Sequence, residues 1–230
     1  MGQQRIPQQP AIYGIDIEID TRFGRPDPTV ASVRAVALSG RWFEELFTGD
    51  EATLLGALDA SLSALPAGVL ATWNGGTFDL PFLAHRAQVL QVDLGLELRL
   101  DRQLTLHRRP LPGHAGAYRG TWGQHLHLDT FRLYGADAPS SWTTLRTIAR
   151  RVGLGGGGGP LDRTHDLDNE ALHAHAPSDA RLARVLAERR WGAALRLLDR
   201  PEPAEDVTVD LVNGSWPPRE PQPLRSAAGI

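Results

Sequence analysis

Apolar and polar positions alternate most strictly near the start of the chain, where isoleucines at 15, 17 and 19 interleave with Asp16, Glu18 and Asp20. A period of two is that of a strand, so Ala11 to Asp20 is predicted to be one, with three acids on one side. Val30–Leu38 and Arg41–Phe47 read as two further strands around Ser39-Gly40, which makes a meander of three. Asp50 then opens a helix with Glu51 in its first turn and a buried stripe at Leu54, Leu55, Leu58, Leu62 and Leu65, ended by Pro66. Gly68–Trp73 is almost continuously apolar, as expected of a strand covered on both faces and reached by a helical crossover. The sheet is therefore expected to be mixed. Leu80–Ala87 carries a helical period with Pro81 tolerated in its first turn, which puts Asp79 where a strand gives way to a helix N-terminus.

Further along, Leu94–Leu106 alternates as a strand and Arg108–Gly123 reads as a Gly, Pro and His loop. His125–Phe131 alternates again, followed by a turn over Gly135–Ser140. Ser140 or Ser141 is the expected cap of a helix with apolar positions 142, 145, 148, 149 and 152, stopped by Gly153. Gly155–Gly159 is a flexible connector, Asp168–His175 a short helical piece, and Pro177–Leu198 one long amphipathic helix. The reading is thus a loose arm over residues 1–10, a domain over 11–200 and a Pro-rich tail over 201–230 with an edge strand at Val207–Val212.

Composition narrows the chemistry. With 230 residues, 41% apolar and 22% charged, the chain is long enough for one substantial domain. No cysteine occurs, so any metal must be held by Asp, Glu, His or main-chain oxygen. A net charge of −3 argues against a general polyanion-binding surface, and all 24 basic residues are arginine, so phosphate contacts would be made by guanidinium forks. Neither a signal-like apolar core nor a membrane-length apolar run is present, which sets a cytoplasmic expectation without membrane contact.

The acidic face of the first strand has two readings. It is a solvated strand face, or Asp16 and Glu18 are ligands of a hard divalent cation that compensates their mutual repulsion. The second gains from two other segments. Asp16-Ile17-Glu18, then Asn74-Gly75-Gly76-Thr77-Phe78-Asp79, then His175-x-x-x-Asp179, in that order, resemble the three exonuclease motifs of the DEDD 3′–5′ exonuclease superfamily. Residues 11–198 are most similar in this respect to the exonuclease domain of family-B DNA polymerases and to related stand-alone bacterial ribonuclease H-like proteins.

The resemblance implies an α/β, ribonuclease H-like mixed central sheet flanked by helices. It also implies metal-dependent phosphodiester hydrolysis at a single-stranded DNA or RNA 3′ end. Carried onto this chain, Asp16, Glu18, Asp79 and Asp179 would hold two Mg²⁺ or Mn²⁺ ions, and His175 would act as general base on the attacking water. Asn74 and Phe78 would brace the site or meet the terminal nucleotide, with Trp73 or Trp122 as further stacking surfaces. A place in a larger replication or repair assembly is compatible with this. His-type family members put four residues between His and the last Asp, whereas three stand here, the spacing of the Tyr type. Pro177 lies between them, so a helix beginning there would leave His175 outside it, and His173 competes for the same role.

Several alternatives stay open. Thr77-Phe78-Asp79 could be a plain helix cap, and Asp129 an extra acid, a surface residue or a cap. His125-x-His127 has the look of a zinc pair lacking a third ligand. Arg86, Arg108 and Arg109 could meet phosphates. Beside the nuclease stands a binding or scaffolding module with the same fold and no catalysis.

Overall fold

Strand β1 (Ala11–Ile19) forms the spine of a mixed sheet because its two faces bury different things. Tyr13, Ile15 and Ile17 point into the main core, while Ile12, Gly14 and Asp16 face the opposite layer. The computed structural model describes residues 9–22, 26–101, 111–134, 144–154 and 169–199. Among these, β2 (Val33–Ser39) and β3 (Glu44–Thr48) complete the antiparallel meander, and β4 (Gly68–Thr72) runs parallel to β1. Beyond it come β5 (Leu96–Leu100), β6 (Tyr118–Trp122) and β7 (His125–Asp129), in a seven-stranded sheet of order β3-β2-β1-β4-β7-β6-β5. This is an α/β fold, a mixed sheet flanked by helices, consistent with the ribonuclease H-like architecture.

Helices α1 (Glu51–Ala64) and α2 (Asp79–Leu90) cover the first face. As the sequence predicts, Asp50 caps α1 by accepting from the Thr53 amide at 3.0 Å, and Leu54, Leu55, Leu58 and Leu62 are buried. After the four-residue α3 (Phe131–Tyr134), α4 (Leu145–Arg151) leads to α5 (Asn169–Arg189) and α6 (Trp191–Leu198), which lie on the second face.

Several expectations are corrected here. The segment read as a loop before Gly123 contains β6, which pairs with β5 and turns through Gly123 in positive φ into β7. Its Gly120 and arginine mask the strand period, and pairing with β5 decides the outcome. Helix α4 is capped by Thr144, which accepts from the Thr147 amide, rather than by either serine. Helix α5 runs straight through Pro177, and the single helix expected to Leu198 breaks at Arg190 (φ −112°, ψ 31°). The glycine run, Arg108, Arg109, residues 1–8 of the expected arm and the tail lie outside the described residues.

Arg86 is a fold residue and not a phosphate contact. It donates to both oxygens of Glu51 at 2.8 and 2.6 Å and to the Pro28 carbonyl at 3.1 Å, joining α2 to α1. The histidine pair on β7 is structural as well. His125 is buried beside the Leu62 carbonyl at 2.8 Å and His127 pairs with the Thr72 hydroxyl at 2.8 Å, so neither ring is poised as half of a zinc site.

His85 and His114 form another buried pair, Nδ1 to Nε2 3.3 Å. Burial lowers both, and His114 falls to about 4, with the His85 charge helping. A histidine whose folded pKa lies below its unfolded value near 6.5 stabilises the fold fully above 6.5, and that contribution drains away as pH falls through about 4. The urea midpoint is therefore expected to drop between pH 6.5 and 4.5, and His114→Gln to flatten that slope. An unchanged slope in the variant would refute the assignment.

Candidate metal and nucleic-acid site

The site is built at the carboxyl ends of β1 and β4, where α5 crosses the sheet. Asp16 and Glu18 project from β1 toward α5 because Gly14, on the same face, lets the helix backbone touch the strand. A β-bulge between Glu18 and Ile19 ends the alternation there. Asp20 consequently leaves the acidic row. It accepts from the Arg22 side chain at 2.5 Å, and that partner holds its carboxyl down at about 2.

Asp79 comes from the turn after β4. Asn74 adopts positive φ (68°), its carbonyl accepts from the amides of Thr77 and Phe78, and Gly75 leaves room for the Thr72 hydroxyl. The Gly76 carbonyl accepts from Tyr118 at 2.7 Å, tying the turn to β6. Asn74 thus shapes the turn before Asp79 through its main chain. Phe78 occupies the cap position of α2, half-buried, its ring 5.7 Å from that of Phe82. Asp79 is the first helical residue and makes no capping bond, so the plain-cap reading fails. Its Oδ2 is buried without a hydrogen-bond partner.

Asp179 and His175 stand one turn apart on α5. Because the helix continues through Pro177, the two share a face, and the displacement of His175 that Pro177 suggested does not occur. Of His173 only the helical main chain is described.

Electrostatics ties these groups together. Burial raises Asp16 well above the usual carboxylate range, and Asp79, Asp179 and Glu18 push it further. Glu18 is lifted to about 7 by burial and by Asp179. Asp79 is raised by burial, then by Asp129 and Glu18. The four carboxylates named from the sequence therefore converge on one region and repel one another across it. Among the described residues, however, no three His, Asp or Glu side chains already stand as a metal-holding group.

A cation is nevertheless present. Arg146 on α4 donates from Nε to Asp179 Oδ1 at 3.1 Å, and from Nη2 to His175 Nδ1 at 3.1 Å. It works against the raised carboxyls of Asp16, Glu18 and Asp179.

No protein family model matches the chain, and no curated protein does. Among solved structures it is similar to the family B DNA polymerase from the hyperthermophilic archaeon Pyrobaculum calidifontis. The match has a TM-score of 0.63 and 21% identity, and covers 84% of this chain and 26% of the polymerase chain. The likeness is one of fold.

One participant stood in the sequence only as an open alternative, and a second, Arg146, escaped it. Asp129 is half-buried, accepts from the Asn74 and Phe131 amides at 2.7 and 3.0 Å, and its charge raises Asp79 further. The phase of β7 gave its signal, since Asp129 follows the inward His125 and His127 at intervals of two. Arg146 had none, because only folding brings α4 against α5. Trp122, by contrast, drops out as a stacking surface, being buried with Nε1 on Asp59 at 2.6 Å. Trp73 is half-buried against Phe131, edge to face. A cleft of about 190 Å³ opens where β6 and β7 diverge, lined by Arg99, Arg119, Arg132, His127 and Asp129 among others. Among the described residues, no helix is long and apolar enough to cross a membrane.

Proposed function

We propose that the protein is a divalent-cation-dependent nuclease that hydrolyses phosphodiester bonds at the 3′ end of single-stranded nucleic acid. The observation that carries this is the convergence of Asp16, Glu18, Asp79 and Asp179, from three separate segments, onto one mutually repelling cluster. Buried like charges are costly unless something positive is shared between them. The orphaned Oδ2 of Asp79 suits a cation, and an all-carboxylate donor set suits Mg²⁺ or Mn²⁺ above softer metals. These four residues would hold the ions. When bound, the ions would supply an activated water and charge neutralisation at the phosphate.

The remaining roles fall to the chain's own groups. The turn over Asn74 to Phe78, pinned by Asp129 and Tyr118, fixes Asp79 before substrate arrives, so little reorganisation accompanies reaction. Phe78 would meet the terminal base. His175 would receive the proton of the attacking water. In the arrangement described, its Nδ1 already accepts from Arg146, so the neutral ring carries its proton on Nε2 and has no lone pair left for that task. The arginine-rimmed cleft beside Asp129 would take the strand leading to the cleaved end.

The test is direct. Labelled single-stranded DNA and RNA should release 5′-mononucleotides from the 3′ end with Mg²⁺ or Mn²⁺, and not with EDTA. Activity should vanish in Asp16→Ala and Asp179→Ala, and retention in both would remove the assignment. The Arg146 ion pair with Asp179 favours a second reading, a binding module without catalysis. That module would retain oligonucleotide without cutting it at any metal concentration.

A further inference from the structure

We propose that Arg146 is the counter-ion of the metal-free site, and that a divalent cation reaches Asp179 only by displacing it. This deepens the nuclease reading and rests on it. Arg146 is hydrogen-bonded to the two α5 groups that the nuclease needs, Asp179 as ligand and His175 as base, each at 3.1 Å. Guanidinium nitrogens only donate, so Asp179 Oδ1 and His175 Nδ1 both act as acceptors to the same side chain. A hard divalent ion that takes Oδ1 competes with the Nε–H of Arg146 for it, and one approaching Oδ2 of the same carboxylate meets the guanidinium charge beside it.

The consequence is a coupling between two events. While Arg146 stays, Asp179 is engaged in an ion pair and the His175 ring is held in the Nε2–H tautomer. Once it leaves, a ligand and a base are freed together. The side chain can leave without unfolding anything, because it is 24% exposed on a seven-residue helix near the mouth of the site. Arg146 is accordingly a positioning residue, setting the state of Asp179 and His175.

Mn²⁺ titration of the full chain without nucleic acid tests this, followed by calorimetry and by the paramagnetic signal of free Mn²⁺. Removing one positive charge within contact distance of a ligand should tighten Mn²⁺ binding by about tenfold or more in Arg146→Gln. Arg146→Lys keeps the charge and should stay within about threefold of wild type, which separates charge from packing. The ¹⁵N shifts of His175 in the diamagnetic, metal-free proteins should move away from the Nε2–H pattern in Arg146→Gln, a change that a merely structural role would not produce.

Equal Mn²⁺ affinity in wild type and Arg146→Gln, or weaker binding in the variant, overturns the proposal and leaves the nuclease reading intact. If the glutamine variant does not fold, the ¹⁵N pattern of wild type alone decides, since an Nδ1–H ring is incompatible with the Arg146 bond. Absence of Mn²⁺ binding in every protein, together with no cleavage, overturns the nuclease reading itself.

Discussion

Asp79→Asn is expected to stabilise the metal-free protein and abolish its cleavage of nucleic acid. Asp79 is 4% exposed, one of its oxygens has no partner, and its acidity is weakened by burial and then by Asp129 and Glu18. At neutral pH its ionised form is an uncompensated buried charge, and asparagine of the same shape removes that charge. The gain should be about 1–3 kcal/mol, read as a rise in Tm of about 2–4 °C per kcal/mol for a domain of this size. The loss of cleavage rate should be about 10³-fold or more, because the residue would hold the ions on which the transition state depends.

The two effects cross when Mn²⁺ is added. Wild type should gain about 2.7 kcal/mol at a hundredfold excess over Kd, and the variant far less, so the order of stabilities reverses. Glu18→Gln adds a pH signature. The folded pKa of Glu18, about 7, lies above its unfolded value of 4.5, so its contribution is fully present below 4.5 and is lost as pH rises through 7. The advantage of the glutamine variant should therefore be absent at pH 4 and full above pH 8. A metal-free Asp79→Asn protein less stable than wild type would refute the account of a repelling cluster.

How far the sequence foretold this site depended on the range of each signal. The β1 alternation, the Asp50 cap and the apolar β4 are local patterns, and folding preserves them. The three acidic motifs were legible because each is short and local: Asp16 and Glu18 alternate within β1, Asp79 opens α2, and His175 and Asp179 stand one turn apart on α5. Asp20 looked like their equal, and only the bulge at Glu18/Ile19, a product of pairing with β2, removes it. Pro177 misled in the other direction. A proline in a helix forfeits one hydrogen bond, but packing of Ala176 and Ala180 against β2 and β3 residues carries α5 through it. Arg146 was invisible because its partners are 29 and 33 residues away, and nothing in α4 advertises them.

The helix that delivers Asp179 was read through its leucines, yet the face that meets the sheet is made of Ala176, Ala180, Ala183 and Ala187, all buried. Small side chains bring the helix axis close to β1, and Gly14 receives it. A Cβ at Gly14 would stand 1.8 Å from the Ala180 carbonyl oxygen, 2.7 Å from its carbon and 3.1 Å from Arg184 Cβ. Gly14→Ala must therefore push α5 outward by about 1 Å or more, at an overpacking cost of about 3 kcal/mol. Asp179 adjoins Ala180, and Asp16 lies one position further along the same face as Gly14, so the shift separates acids that have to share ions. A displacement of that size is expected to lower the cleavage rate by about 100-fold.

Two companions make the result specific. Gly56→Ala, in α1 with nothing within 4 Å of the added carbon, should instead gain about 0.5–1 kcal/mol from helix propensity. Ala180→Gly should fail to rescue Gly14→Ala, because the obstruction is a main-chain oxygen that glycine also has. A Gly14→Ala protein with wild-type Tm and wild-type cleavage would mean that α5 does not rest on β1 at this point. The convergence of Asp16 with Asp179 would then lose its structural cause.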